Sequence, residues 1–356
     1  MLSTPNLSKI DNLLAATYRD DEFPVCYSQT KEWSKSRPFE NLTILDATPI
    51  FRNTLVKHRA LVAAGARLIV GKAQGLPYDE SIVKLLQESG IQVVSYKDEQ
   101  TEPVDVILDC AASFIHWNPR LGAVELTQSG VPKYASRKTA VFVADSGRIK
   151  KIETCLGTGE SYFRAMKQLG YADWRNKKIV IFGSGKVGFG LLSYAVANGA
   201  KATVVTKLES VTENVRKLAS EIIDCEDIPS VVSAIKDAYA VVTATGIAGA
   251  LSQPTIIKEL INSQALLANM GVEDEYGETM PSERVLMNKS TLNFILEEPT
   301  HLKYIDATMG LHNEGINFLL SHPSEKGLIE PPLELEEQLL QLTRMNGSIG
   351  DEINLI

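Results

Sequence analysis

The stretch Lys178-Ile-Val-Ile-Phe-Gly183-Ser-Gly185-Lys-Val-Gly188-Phe-Gly190 decides how this chain of 356 residues is interpreted. An apolar run is followed by the spacing G-x-G-x-x-G and then by a helical pattern. This order is typical of a dinucleotide loop, because the glycines let backbone N–H groups approach a pyrophosphate at the N-terminus of a helix. The residues assigned to the loop are Gly183, Ser184, Gly185, Lys186, Val187 and Gly188.

The end of the next predicted strand bears on which dinucleotide is bound. A site for NAD usually has an acidic residue there, which accepts hydrogen bonds from the ribose 2′-hydroxyl. This chain has Thr206 and Lys207, and Glu209 follows two residues later. Because a lysine pairs with a 2′-phosphate, both NAD and NADP remain open, with Lys207 favouring NADP and Glu209 offering an alternative for NAD.

Two further strand ends contribute small and amide-bearing residues. Thr245 and Gly246 follow one predicted strand, and Asn269 follows another. Ligands of parallel sheets lie beyond the carboxyl ends of the strands. We therefore expect these three residues to border the nicotinamide and its ribose.

Strands and helices alternate on both sides of the loop. Strands are predicted at 42–45, 67–70, 92–95, 104–108, 141–144, 179–182, 203–205, 239–243, 265–268 and 292–296, with a closing helix at 313–320. This alternation predicts an α/β protein with two doubly wound domains, because parallel strands need helical crossovers. The domains are placed at 1–155 with the returning segment 320–356, and at 156–319 for the Rossmann NAD(P)-binding domain.

Composition narrows the function classes. The 36 Lys and Arg residues against 44 Asp and Glu give a net charge of −8, which disfavours nucleic acid or an anionic membrane as a partner. The four cysteines are far apart, so neither a zinc cluster nor a disulfide scaffold is expected. With no leader pattern and no long apolar run, we expect a cytoplasmic enzyme without a metal.

Short segments in a fixed order resemble the S-adenosylhomocysteine hydrolase family over about 51–318. They are 61–66, 89–97, 106–109, 129–131, 144–146, 157 with 160–161, the glycine loop, 245–246, 269–271 and 309–310. The resemblance implies a substrate domain in the first part of the chain, a Rossmann domain, a cleft between them and a homo-oligomer, in the simplest case a homodimer. It also implies transient oxidation of a ribose hydroxyl by bound NAD.

The residues that handle adenosine in that family are mostly replaced here. Leu126 stands where the family has a catalytic glutamate, Ile149 replaces a lysine, and Val272 replaces a histidine. None of these three side chains can transfer a proton, so hydrolysis of adenosylhomocysteine is not expected. The catalytic candidates at matching places are Lys151, His312, Glu153 and Asp109, with Lys151 and His312 favoured as the proton donor or acceptor.

The sequence therefore predicts an NAD(P)-dependent oxidoreductase that acts on a small polar metabolite. Two alternatives stay open, an atypical adenosylhomocysteinase and a catalytically silent regulator that binds a dinucleotide. The charged run Lys57-His58-Arg59 is interpreted as a solvated helix face.

Overall fold

A computed structural model describes residues 5–356 and confirms the α/β class. The chain forms two compact units. The first comprises the residues up to Ile152 together with His301–Ile353, and the second comprises Glu153–Thr300 with Asn354–Ile356. The return to the first unit therefore comes about twenty residues before the predicted position 320. The reason is one long helix that begins at Leu302, whose Asp306 carboxylate accepts hydrogen bonds from two backbone N–H groups near the N-terminus of the first unit.

The strands are short, and all of them pair in parallel. They are β1 (Thr43–Asp46), β2 (Arg67–Lys72), β3 (Gln92–Ser95), β4 (Val106–Asp109), β5 (Gly122–Glu125), β6 (Ala140–Val143), β7 (Lys178–Phe182), β8 (Lys201–Thr206), β9 (Glu221–Asp224), β10 (Ala240–Thr243), β11 (Leu266–Asn269) and β12 (Gly327–Ile329).

The helices fill the connections between strands. They are α1 (Ser8–Thr17), α2 (Pro24–Ser36), α3 (Leu55–Ala63), α4 (Glu80–Glu88), α5 (Val131–Tyr134), α6 (Ile149–Lys151), α7 (Thr158–Gln168), α8 (Lys186–Ala197), α9 (Glu213–Leu218), α10 (Ile228–Lys236), α11 (Pro254–Asn262), α12 (Leu302–Ser321) and α13 (Leu333–Asn346).

The first unit contains a seven-stranded sheet in the order β12-β6-β5-β4-β1-β2-β3. The chain winds outward from β1 in both directions, so the strand order reverses between β1 and β4. Crevices at such reversals are where doubly wound sheets bind ligands. The sequence did not predict β5 or β12, because each is a run of only three or four residues that begins with glycine.

The second unit contains a five-stranded sheet in the order β11-β10-β7-β8-β9, which reverses between β7 and β10. Its core lies on both faces of the sheet, as expected for covered parallel strands. The strand predicted at 292–296 is wrong, because Leu292–Ile295 forms a 3-10 helix. The segment before it, Met287–Lys289, holds three consecutive residues at positive φ and so cannot continue as extended chain.

One helical stretch joins the two units along the chain. This stretch begins with α6 and continues through a six-residue π-helix at Ile152–Gly157 into α7. In the second unit α7 crosses α8 closely, because Gly159 faces the backbone of Gly190 and a Cβ atom at Gly190 would overlap the carbonyl of Cys155. Single π-turns of this kind occur frequently at functional sites.

Candidate functional site

The three glycines of the loop after β7 have separate structural roles. Gly183 has a φ of +102°, and a Cβ atom there would lie 2.5 Å from the carbonyl oxygen of Ala244. A Cβ atom at Gly188 would overlap the carbonyl of Gly183, so α8 packs directly on the turn. Gly185 differs from both, because it is exposed at the N-cap of α8 and a Cβ atom there would meet nothing within 4 Å.

The open space at Gly185 is the observation that tests the fit of a dinucleotide. The protein's own backbone fills the space at Gly183 and Gly188, whereas it leaves Gly185 free. In the described part of the chain no side chain caps the N-terminus of α8, so its first N–H groups are available to an anion. Lys186 and Val187 form the first turn beside it. The loop therefore fits the pyrophosphate of a dinucleotide.

Three hydroxyl groups meet where β8 ends. The Oγ atom of Ser184 lies 2.9 Å from Oγ1 of Thr206, and Oγ of Ser210 lies 3.1 Å from the Thr206 oxygen and 3.3 Å from the Ser184 oxygen. The exposed Lys207 follows Thr206 directly. Sequence reasoning found Thr206 and Lys207 but not Ser210, because nothing in the sequence shows that the short turn at Leu208–Ser210 brings its hydroxyl back to the strand end.

The residues after β10 and β11 lie at the same edge of the second sheet, since the two strands pair in register from Ala240 to Thr243. The side chain of Asn269 is fully used inside the unit. Its Nδ2 donates to the carbonyls of Glu273 and Lys289 at 2.7 and 2.8 Å, and its Oδ1 accepts from two donors of the same region. The assignment of Thr245, Gly246 and Asn269 to the cofactor stays a prediction.

The corresponding edge of the first sheet carries buried charges. Asp46 ends β1, and its Oδ1 accepts from Nζ of Lys57 at 2.7 Å, while Nε2 of His58 lies 3.1 Å from its Oδ2. Lys57 and His58 are fully buried, so the expectation of a solvated helix face is wrong for both. Burial disfavours the charged form of Asp46, but Lys57 and His58 hold the pKa of that carboxyl well below its usual value.

Asp109 ends β4 and faces a different set of partners. It accepts hydrogen bonds from the backbone N–H groups of Cys110 and Phe114, at 2.8 and 3.1 Å, and from the hydroxyl of Tyr134 at 2.6 Å. Burial raises the pKa of Asp109 to about 7, and the carboxylate of Glu125 on the neighbouring strand adds to the rise. The structure thus gives this predicted catalytic residue a pKa near neutrality.

The turn that follows Asp109 is strained. Ala111 and Ala112 both have positive φ, 57° and 53°, which non-glycine residues adopt rarely and at a cost of roughly 1–2 kcal/mol each. Their N–H groups donate to the two oxygens of Glu125 at 3.0 Å. Strain of this kind persists only where surrounding contacts impose it, and it occurs often at ligand sites.

The other three catalytic candidates are placed differently. His312 is fully buried in α12, and its Nε2 lies 3.0 Å from the carbonyl of Val124, so that nitrogen carries the proton and Nδ1 is a bare acceptor. Burial, and then the nearby Lys57, lower the pKa of His312 well below its usual value, which keeps the ring neutral. Lys151 is exposed at the end of α6, and Glu153 is half-buried in the π-helix. Their catalytic roles stay predictions.

Comparisons with known proteins bear on this arrangement. The sequence model of a family described as "Putative NAD(P)-binding" matches residues 171–277, which include the glycine loop. S-inosyl-L-homocysteine hydrolase from Methanococcus maripaludis is 23% identical over 276 residues, covering 70% of this chain and 65% of that protein. The adenosylhomocysteinase of Thermotoga maritima is 24% identical over 276 residues, with 70% and 66% covered. The chain is thus similar to adenosylhomocysteinases, at low identity.

This adenosylhomocysteinase-like chain has an NAD(P)-binding domain, and its cofactor is NAD or NADP. Its aligned part spans slightly less than two thirds of the length of the curated relatives that it matches. A third such relative, the adenosylhomocysteinase of Archaeoglobus fulgidus, is 23% identical, with 64% of its length covered. Among solved structures, a dipicolinate synthase subunit from Bacillus halodurans gives a TM-score of 0.46 at 12% identity, covering 81% of this chain and 99% of that protein.

Membrane spans and metal clusters are both absent from the described residues, 5–356. None of the helices there is long and apolar enough to cross a membrane. The same part of the chain contains no group of three or more His, Cys, Asp and Glu side chains that could hold a metal ion.

Proposed function

We propose that this chain is an NAD(P)-dependent oxidoreductase on an adenosylhomocysteinase-like scaffold, acting on a small polar metabolite in the cytoplasm. The observation that carries the proposal is the open position at Gly185, which the fold leaves unfilled beside an uncapped helix N-terminus. A bound nicotinamide supplies hydride transfer to or from the substrate. The residues of this chain would hold the cofactor through the glycine loop and the hydroxyls at the end of β8.

The substrate would bind to the first unit, at the reversal of strand order between β1 and β4. Hydride transfer at a carbon that bears oxygen or nitrogen needs a group that takes or gives a proton. Asp109 supports this role best among the candidates, because its pKa is raised to about 7 and the strained turn at Ala111 and Ala112 follows it. His312 would contribute an acceptor at Nδ1, whereas Lys151 and Glu153 remain candidates by position alone.

The cofactor would be NADP(H) rather than NAD(H). A 2′-phosphate needs several donors, and the three hydroxyls of Ser184, Thr206 and Ser210 supply them beside the ammonium of Lys207. Among the described residues no carboxylate takes part in this hydroxyl cluster. Glu209 is exposed in the turn that follows, and it is the residue that would favour NAD(H) instead.

The test is a titration of the purified full chain with NAD, NADP and their reduced forms, followed by a search for metabolites that change the redox state of the bound cofactor. Turnover of a small alcohol, ketone or amine would support the proposal. Failure to bind any of the four dinucleotides would contradict it.

A second candidate function is hydrolysis of a nucleosyl homocysteine, which the activities named for the relatives favour. Against it, Leu126, Ile149 and Val272 cannot transfer a proton where the family resemblance places such groups. Incubation with adenosylhomocysteine and inosylhomocysteine, with free homocysteine as the readout, separates the two candidates. Cofactor binding without turnover in either assay would favour the silent regulator.

A further inference from the structure

Glu275 is a fully buried carboxylate at the edge of the second sheet, outside the glycine loop. Its Oε2 accepts from the backbone N–H of Thr245 at 2.8 Å and from the hydroxyl of the same residue at 2.7 Å. Its Oε1 accepts from the N–H of Gly246 at 2.7 Å. One side chain of the loop after β11 therefore fixes the loop after β10.

The loop that carries Glu275 is itself tied down on its other side. A Cβ atom at Gly271 would overlap the Glu275 carboxylate, so a larger residue there would displace that carboxylate. The ammonium of Lys289 donates to the carbonyl of Gly277 at 2.7 Å, and the carbonyl of Lys289 accepts from Asn269 at 2.8 Å. Lys289 ends the segment of three positive-φ residues, and such strain persists where neighbouring contacts enforce it.

Each of the two loops held by Glu275 exposes one aliphatic side chain. Ile247 is 61% exposed and Val272 is 87% exposed. Ile247 donates its N–H to the same Thr245 hydroxyl that Glu275 accepts from, at 3.1 Å, and Val272 directly follows Gly271. Both aliphatic side chains thus leave most of their surface uncovered by this unit.

The loop after β10 borders the glycine loop, and the loop after β11 lies beside it at the same edge of the sheet. The carbonyl of Ala244, at the start of the first of them, lies against Gly183. The strands that precede them, β10 and β11, follow β7 in the order of the sheet. A dinucleotide whose pyrophosphate lies at Gly185 has its nicotinamide half on this side, because its adenine half extends toward the end of β8.

We propose that Ile247 and Val272 form an apolar seat for the nicotinamide ring, and that Glu275 is the positioning residue that holds both loops in place. This inference rests on the proposed function and extends it by naming the side chains that contact the nicotinamide ring and the carboxylate that positions them. The flat ring gains contact area from aliphatic side chains. The carboxylate of Glu275 acts through Thr245 and Gly246 and does not itself touch the cofactor.

The experiment compares binding of intact NADPH and NADH with binding of their adenine halves, adenosine 2′,5′-bisphosphate and AMP, by calorimetry on the full chain. Glu275→Gln places an amide donor against one of the two backbone N–H groups that the carboxylate accepts from. We expect it to weaken binding of the preferred reduced dinucleotide about tenfold to a hundredfold, while the affinity for the adenine half is unchanged. Glu273→Gln, the same change at an exposed position two residues away, should alter neither affinity.

Val272→Asn tests the seat directly and does not depend on a buried substitution. We expect weaker binding of the reduced dinucleotide, unchanged binding of the adenine half, and a smaller rise in nicotinamide fluorescence on binding than in the parent. Ile261→Asn, at an exposed aliphatic residue on α11, is the matched control.

The outcomes separate the two proposals. A parent chain that binds neither reduced dinucleotide contradicts the proposed function and this inference with it. A parent that binds, with Val272→Asn and Glu275→Gln binding equally well, leaves the proposed function standing and overturns the nicotinamide seat. If both variants lose affinity equally for the dinucleotide and for its adenine half, the substitutions disrupt the whole site, and the nicotinamide seat is likewise contradicted.

Discussion

In both sheets of this chain the strand order reverses beside the first strand of the unit. The two sheets differ in the groups that lie at the carboxyl ends of the strands there. In each sheet the first strand of the unit is an interior strand, and the chain winds outward from it. At the reversal of the second sheet, Gly185 is exposed and its helix is uncapped. At the reversal of the first sheet, Asp46 and Asp109 are buried and accept hydrogen bonds from the loops that follow them and from side chains of α3 and α5.

This difference shows that the strand order determines where a ligand site can lie, and that unpaired backbone N–H groups determine which kind of ligand can bind there. The second sheet leaves donors open to an anion. In the first sheet, carboxylates of the protein already occupy the donors, including those of the strained turn beside Glu125. A negatively charged ligand therefore fits the carboxyl ends of the strands in the second sheet. The same region of the first sheet provides charged side chains that can transfer a proton.

The largest effect is expected from the buried ion pair of the first sheet. Lys57→Met leaves Asp46 as a buried charge with one partner removed, and we expect a loss of about 3–5 kcal/mol in the free energy of unfolding, measured by urea titration. Asp46→Asn added to Lys57→Met should recover part of that loss. Lys84→Met, at an exposed lysine on α4, should change stability by less than about 0.5 kcal/mol. A Lys57→Met variant as stable as the parent would show that the pair contributes nothing.

Asp109 should make stability depend on pH. Its folded pKa of about 7 lies above the ordinary value of 3.8, so between these values the unfolded chain releases a proton that the folded chain keeps. The stabilisation is thus present below about pH 4 and is lost as pH rises to 7, with a total on the order of 4 kcal/mol. Asp109→Asn has no proton to lose, so the difference in unfolding free energy between pH 4.5 and 7.5 should shrink.

The control for this pH measurement is Asp237→Asn, at an exposed aspartate after α10. Its pH profile should follow that of the parent. If Asp109→Asn also follows the parent across this range, the carboxyl does not hold a proton at neutral pH, and its proposed role in proton transfer is lost.

The open glycine of the second sheet should separate binding from folding. Gly185→Val adds a side chain to free space at an ordinary φ of −67°, so the fold should persist while backbone approach to the pyrophosphate is blocked. We expect dinucleotide affinity to fall about tenfold to a hundredfold. Gly188→Ala is the contrasting change, since its Cβ atom would overlap Gly183 and should lower the melting temperature of the chain. A folded Gly185→Val variant with parental affinity would contradict the site.

The smallest effect is a change of preference between cofactors. Lys207→Glu replaces a cation beside the hydroxyl cluster by an anion that repels a 2′-phosphate. The ratio of NADP to NAD affinity should fall about tenfold to a hundredfold. Lys201→Glu, at the opposite end of β8, makes the same charge change away from the cluster and should leave the ratio as it is. An unchanged ratio in Lys207→Glu would remove the basis for NADP.

The sequence predicted those features of the structure that depend on residues close together along the chain. The glycine loop was found because its three glycines, the strand before it and the helix after it lie within one short stretch. Most strand positions followed from short apolar runs. The predicted strand at 292–296 failed because the positive φ values at Met287–Lys289 turn the chain before it, and nothing in a Met-Asn-Lys run indicates that conformation.

Partners that are distant in sequence could not be predicted. Lys57 has the charge of a surface residue, and only the fold brings Asp46, eleven positions earlier, within 2.7 Å of it. Glu275 stands in an acidic run with Glu273 and Asp274, and the sequence does not show which of the three turns inward. Packing of distant parts of the chain determines whether a charged side chain is buried, so composition and spacing do not predict it.

The short strand β12 has a consequence for any shortened form of the protein. It pairs in parallel with β6 and is one of the two edge strands of the seven-stranded sheet. A chain that ends before Gly327 would leave the backbone groups of β6 as an open edge, and unpaired edges recruit strands from other molecules. We expect such truncated chains to aggregate through that edge, even though the dinucleotide loop lies in the other unit and is untouched.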